Sequence, residues 1–207
     1  GRSPQADFEI SGEQGHDPSY VFRGHKADIY EGGHRVPYIV HWPAQVADSR
    51  TSDQFVCSTD LFATCAALVG ADLEDNEGED SYSYLPILHT TNGQTVCLDI
   101  IHHSINGSFA IRKGDYKLIM SAGSAGWSYP TPKQVQAQDS LPPIQLYNLQ
   151  DDPAETQNLQ ATETAQVETL KTLLISYIAQ GRSTPGAPQE NDAIKGEWKQ
   201  IGFVKGE

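Results

Sequence analysis

The sequence predicts a mixed α/β fold: one strand and one helix of the kind that belong to a larger sheet, then an antiparallel sheet packed on a helix. Three observations carry this. Val36 to Trp42 is a short apolar run closed by Pro43, which reads as a buried strand. From Thr95 the texture turns β-branched and apolar, with breaks at turn residues. Between Glu163 and Gln180, Val167, Leu170, Leu174, Tyr177 and Ile178 recur at helical spacing, with Gly181 as the stop.

Taken in order, residues 1–22 are rich in Gly, Pro, Ser, Asp and Glu without periodicity and read as loop. A domain seldom starts with such a stretch and then a central strand, so the chain reads as the carboxy-terminal part of a longer protein. After the strand, Ser58 or Thr59 is placed to cap a helix whose Leu61, Phe62, Cys65, Leu68 and Val69 share one face, and Gly70 ends it. Asp72 to Asp80 is an acidic run without the ligand spacing of an EF-hand calcium loop, and is expected to be solvated and mobile. Thr95 to His102 is the next strand. Ser108–Arg112 and Tyr116–Met120 form a hairpin across Lys113-Gly114-Asp115. Gly123 to Pro143 is loop, Ile144 to Leu149 a short strand, and Trp198 to Val204 an edge strand.

Composition narrows the function. A 207-residue chain with 38% hydrophobic residues can build a core. A formal charge of −13 argues against a nucleic-acid binder, which would show a basic face. Local basic sites survive within an acidic whole, because salt screens distant charges over roughly 10 Å. No apolar run approaches the ~20 residues needed to span a bilayer, and no signal peptide opens the chain. Cys57, Cys65 and Cys97 are odd in number and widely spaced, so they are expected to be buried structural thiols.

The chemistry gathers in one cationic stretch, Arg23-Gly24-His25-Lys26, followed by Tyr30-Glu31-Gly32-Gly33-His34-Arg35-Val36-Pro37. A lysine behind a glycine can aim one positive charge at an anion, and Gly32-Gly33 allows a turn that bulkier residues resist. A second candidate is Ile101 to Ser108. There the adjacent His102 and His103, with Ser104 and Asn106, could hydrogen-bond a sugar or aryl group. Adjacent histidines on a strand point to opposite faces, so at most one faces a given cleft. No third partner nearby in sequence suits them as metal ligands.

These motifs closely resemble a signature of the formylglycine-dependent sulfatases, and the resemblance continues in family order. It runs through Trp42-Pro43, Ser58 to Thr64, Leu85-Pro86-Ile87-Leu88 and Phe109 to Ile119, then Gln145 to Leu149, Asp151 to Thr156, and Asn158-Leu159. It implies an α/β, alkaline phosphatase-like fold. Residues 1–90 would be the end of the large catalytic α/β domain, and 91–207 a carboxy-terminal α+β subdomain. It also implies that Lys26 contacts the sulfate and helps the leaving group, and that the carboxy-terminal subdomain helps wall the substrate cleft. Glu31, Gly32, Gly33 and Arg35 match the motif and read as builders of the turn and its pairing, and His102 and His103 as the candidate substrate-binding residues of that wall.

The same resemblance implies calcium and a formylglycine made from a Cys- or Ser-x-Pro-x-Arg motif. Neither that motif nor the metal-binding aspartates are in this sequence. Cys57, Cys65 and Cys97 have no proline two positions on, and Ser140-Leu141-Pro142-Pro143-Ile144 lacks the arginine. The chain is therefore expected to be inactive alone, with its missing amino-terminal part as partner and a sulfated small molecule or carbohydrate as substrate. A periplasmic, secreted or lysosomal setting follows from the resemblance. A related phosphodiesterase or phosphonate hydrolase, or a non-catalytic sulfated-carbohydrate-binding module, remain the alternatives.

Overall fold

A computed structural model describes residue 3 and residues 8–46, 48–89, 95–138, 140–191 and 199–205. Its helices are α1 (Phe8–Glu13), α2 (Glu31–His34), α3 (Asp60–Val69), α4 (Leu85–His89), α5 (Pro132–Gln136), α6 (Thr164–Gln180) and α7 (Gly202–Lys205), the last preceded by a 3-10 turn at Lys199–Ile201. The strands are β1 (Asp99–His103), β2 (Phe109–Lys113), β3 (Tyr116–Ile119) and β4 (Gln145–Asn148). They form one sheet in the order β1-β2-β3-β4. Two compact units divide the chain, one within 1–37, 101–171 and 199–207, the other within 38–100 and 172–198.

The first unit is built on the sheet. The β2–β3 hairpin pairs antiparallel, with Ala110 opposite Ile119 and Arg112 opposite Lys117, and β3 pairs antiparallel with β4 through Ile119 and Gln145, and Lys117 and Tyr147. Ala110 and Ile111 are both fully buried, as are Lys117 and Leu118. Successive side chains point to opposite faces, so both faces of the hairpin are covered. On the face carrying Ala110, Ile119 and Tyr147 sits a cluster completed by Ile29, Tyr30, Ala125 and Leu149. Ile29 and Tyr30 belong to the cationic stretch, which is thus packed onto the sheet. Val167 and Leu170 of α6 are buried in this unit as the helical spacing predicts.

The second unit contains α3 and α4. Gly70 ends α3 in the left-handed region, its N–H reaching the carbonyls of Ala66 and Ala67. Thr59 occupies the N-cap without a side-chain bond; instead the buried Asp60 carboxylate accepts from the N–H groups of Cys57 and Tyr82 at 2.7 and 2.9 Å. The acidic run is largely exposed, as expected, and is bonded at two points. Arg182 donates to the Asp75 carbonyl at 3.0 Å, and Asp80 accepts from Ser183 N–H and hydroxyl at 2.8 and 2.6 Å.

Several other expectations are corrected. Residues 36–42 form no strand, and Ile39 is 87% exposed; a strand needs a neighbour to take its ladder hydrogen bonds, and none of the described residues supplies one. On α3 the buried positions are Asp60, Ala63 and Thr64, while Leu61, Phe62, Cys65, Leu68 and Val69 lie exposed. Cys65 is therefore not a buried thiol, although Cys97 is. Residues 8–13 are helical, and 199–205 are helical instead of an edge strand. There the Phe203 ring meets Phe109 edge-on at 6.1 Å, and Gln200 donates to the Asn106 carbonyl. Trp198 lies outside the described residues.

Gly32 and Gly33 form a helical turn, not a left-handed one, and what they supply is space. A Cβ on Gly32 would stand 2.5 Å from the Arg23 carbonyl oxygen and closer still to that of Gly24. Gly32 N–H donates to that Arg23 carbonyl at 2.7 Å, so the approach is bonded. Gly32→Ala is expected to destabilise the protein by about 1–3 kcal/mol, the usual cost of forcing atoms into a packed site. Denaturant melts of the two forms measure it.

Candidate active-site loop

Residues 23–34 fold as they do because three buried acidic groups organise them. Asp28 accepts the His25 N–H with Oδ2 at 2.8 Å. With Oδ1 it accepts the Trp127 and Ser128 N–H groups at 2.8 and 3.0 Å. Glu31 accepts from the buried Lys117 ammonium at 3.0 Å, and Arg112 and Arg35 lie 3.4 and 3.7 Å from its other oxygen. Glu155 reaches the same Lys117 at 2.9 Å and accepts the Glu31 N–H at 2.7 Å, closing the first turn of α2. Arg23 stacks its guanidinium over Tyr30 at 4.0 Å and donates to the Glu155 carbonyl at 2.9 Å. Tyr30 and Tyr147 both donate to Gln145 Oε1, at 3.0 and 2.7 Å.

The product of this bracing is an exposed Lys26. Its neighbours His25 and Asp28 are buried, and Ala27 holds a φ of 85°, a conformation that costs a non-glycine residue energy. Among the described residues the Lys26 ammonium has no ion-pair or hydrogen-bond partner. A fixed backbone thus carries a cation into solvent.

The two histidines of β1 divide as the strand period requires. His102 turns inward, with Nε2 3.3 Å from the Ile29 carbonyl and its ring 4.2 Å from that of His34. His103 is exposed, its ring edge-on to Phe109 at 4.1 Å. The turn that follows joins the Lys26 loop, since Ile105 N–H donates to the Ala27 carbonyl at 3.0 Å. Lys26 and His103 therefore stand on segments stitched together at Ala27. Among the described residues no group of three or more His, Cys, Asp or Glu side chains is placed to hold a metal ion.

Electrostatics follow from burial and from Lys117. Burial would raise the Glu31 carboxyl, but Lys117, then Arg112 and Arg35, outweigh it and hold it below the usual range. Glu155 lacks those arginines, and burial, only partly offset by Lys117, pushes it up. Burial, helped by Lys117, pulls His34 down to about 4, and burial, Lys117 and His34 hold His102 well below its ordinary value. His34 Nε2 is buried without a hydrogen-bond partner among the described residues.

Both imidazoles are thus neutral when folded and take up protons on unfolding below about pH 6.5. Their contribution to stability is full above that pH and is lost as pH falls toward about 4, through the folded value of His34. Melting curves from pH 7.5 to 4.5 should show this decline, and His34→Phe should flatten it.

Sequence reasoning missed Lys117, Glu155 and Asp28. The first had a visible signal: a lysine between Tyr116 and Leu118 in an apolar strand, buried on both sides, demands an anionic partner.

Residues 24–182 match the family described as N-sulphoglucosamine sulphohydrolase, C-terminal, and the chain belongs to that family. The chain is 35% identical over 162 residues to an N-acetylgalactosamine-6-O-sulfatase of Bacteroides thetaiotaomicron, covering 78% of this chain and 31% of that protein. It is 34% identical over 151 residues to human arylsulfatase A, covering 68% of this chain and 29% of that protein. A solved structure from work on the metabolism of multiple glycosaminoglycans by Bacteroides thetaiotaomicron superposes with a TM-score of 0.68 at 33% identity, over 82% of this chain and 34% of that one. The PsFucS1 sulfatase from Pseudoalteromonas sp., at 22% identity, shares the fold with a TM-score of 0.62 over 76% of this chain and 32% of that one. The fold is the carboxy-terminal portion of the alkaline phosphatase-like sulfatase architecture. The chain spans about a third of the length of the relatives it matches.

Proposed function

We propose that this chain is the carboxy-terminal part of a sulfatase hydrolysing aryl or carbohydrate sulfate esters, with Lys26 as its contribution to the sulfate site. The observation that carries this is the exposed ammonium of Lys26, unpaired among the described residues, on a backbone fixed by Asp28, Glu31 and Glu155. In hydrolysis, negative charge grows on the sulfuryl oxygens and the leaving oxygen, and a prepositioned cation lowers the barrier without reorganising. Lys26 does this by holding a sulfate oxygen and donating a hydrogen bond toward the leaving oxygen. His103, exposed on the adjoining segment, contacts the substrate body, while His102 braces the loop through Ile29. Calcium and a formylglycine, carried by upstream residues, supply charge neutralisation and the nucleophile when present.

Hydrolysis of a chromogenic aryl sulfate, with and without calcium, tests this on the chain and on the full-length protein matured to carry formylglycine. Activity confined to the full-length protein supports the proposal. Activity in the 207-residue chain alone would mean that it contains its own nucleophile, and the proposal would fall.

A further inference from the structure

The loop that follows β3 is built in an unusual way: its backbone is buried and its largest side chains are not. Ser124 and Ala125 are buried, and Ser124 accepts the Ile29 N–H at 2.9 Å while its hydroxyl donates to the Ser128 carbonyl at 2.7 Å. Gly126 lies so close to the Lys26 loop that a Cβ would stand 2.5 Å from Asp28 Oδ1 and 2.6 Å from the Ala27 carbonyl oxygen. Trp127 and Ser128 then donate their N–H groups to Asp28. Yet Trp127 is 41% and Tyr129 65% exposed. The Trp127 indole, carried on a backbone bonded to Asp28, thus presents part of its ring outward beside the Lys26 loop.

We propose that Trp127 is a specificity-determining residue: its indole is the platform on which the ring of a sulfated sugar stacks while the sulfate meets Lys26. This rests on the proposed sulfatase reading and adds the residue of this chain that would read the sugar ring. Two observations, with the chemistry of a pyranose face, point to a sulfated sugar. The platform is fixed to Asp28, two residues from an unpaired cation, so an occupant with an anionic group and an apolar face satisfies both. The C–H face of a pyranose is such a surface, and an aromatic ring takes it without itself needing a polar partner. The turn after β1, bonded to the same loop at Ala27, carries polar groups: exposed His103, and Asn106, whose Oδ1 accepts from the Ser104 hydroxyl at 2.6 Å. Tyr129, two residues on and 65% exposed, offers a second aromatic ring on the same loop.

The test compares Trp127→Ala, Trp127→Phe and Lys26→Ala in the full-length protein on two substrates, galactose 6-sulfate and ethyl sulfate, which has no ring to stack. Trp127→Ala should raise KM for the sugar sulfate about tenfold, the scale of one aromatic stacking contact, and leave ethyl sulfate within about twofold. Trp127→Phe should recover most of the loss, and Lys26→Ala should depress both substrates in kcat. Equal losses on both substrates, or a fall in melting temperature in place of a KM effect, would overturn the platform; the latter would mean that Trp127 packs against another part of the protein. Should the wild type hydrolyse neither ester, the sulfatase reading falls separately. The platform is then judged by quenching of tryptophan fluorescence on titration with galactose 6-sulfate, which Trp127→Phe must diminish if the inference holds.

Discussion

Lys26→Ala is expected to lower kcat for sulfate ester hydrolysis by the full-length protein by about 10²–10³-fold, the effect of deleting one preorganised charge-stabilising donor. KM should change far less, because the interaction strengthens as charge develops on the oxygens and is weaker in the bound ester. The fold should be untouched. Lys26 is exposed, and the loop around it is held by Asp28, Glu31 and Glu155, none of which touches its ammonium. An exposed substitution of this kind moves stability by only about 0.5 kcal/mol. Lys26→Arg keeps the charge but replaces a compact ammonium by a planar fork of different reach, so it should recover activity only in part. Steady-state kinetics beside thermal melts decide the matter: a parallel collapse of activity and stability would make Lys26 a structural residue.

Lys117→Met should be the most destabilising single change in the first unit, about 3–5 kcal/mol, because removing one partner leaves buried charge uncompensated. Lys117 is fully buried between Glu31 and Glu155, at 3.0 and 2.9 Å. The two carboxylates would not suffer equally. Glu31 keeps Arg112 and Arg35, whereas Glu155 keeps, among the described residues, the Glu31 N–H. The double variant Lys117→Met, Glu155→Gln should therefore regain much of the loss.

The pH dependence separates the two acids. Glu155 is raised by burial, so the folded state favours its protonated form, and lowering the pH through its folded value relieves the variant. The deficit of Lys117→Met should thus be larger at pH 8 than at pH 5. Glu31 has the opposite sign: its depressed carboxyl contributes stability that is present above the ordinary carboxylate range and is lost as pH falls through its folded value. Denaturant unfolding across that range reads both terms.

What the sequence disclosed was local. The hairpin across Lys113-Gly114-Asp115, the stop at Gly70 and the period of α6 each depend on residues within a turn or two, and each is found. The family motifs were legible because they lie in order along the chain, and the opposite facing of His102 and His103 because a strand alternates. What stayed hidden depends on partners far away. Lys117 meets Glu31 across 86 residues and Glu31 N–H meets Glu155 across 124, separations that no window of sequence spans. Residues 36–42 and the apolar side of α3 failed for a related reason. Apolar periodicity says that a surface is fit to be buried, and only a neighbour decides whether it is.

Asp28 gives one carboxylate oxygen to the loop bearing Lys26 and the other to the loop bearing Trp127. A single side chain thereby sets the register between Lys26, the proposed sulfate contact, and Trp127, the proposed sugar platform. Variation at Trp127 is accordingly expected to change substrate preference while leaving the Lys26 loop in place, since Asp28 accepts its backbone N–H and not its indole. Variation at Asp28 is expected to disturb both loops at once.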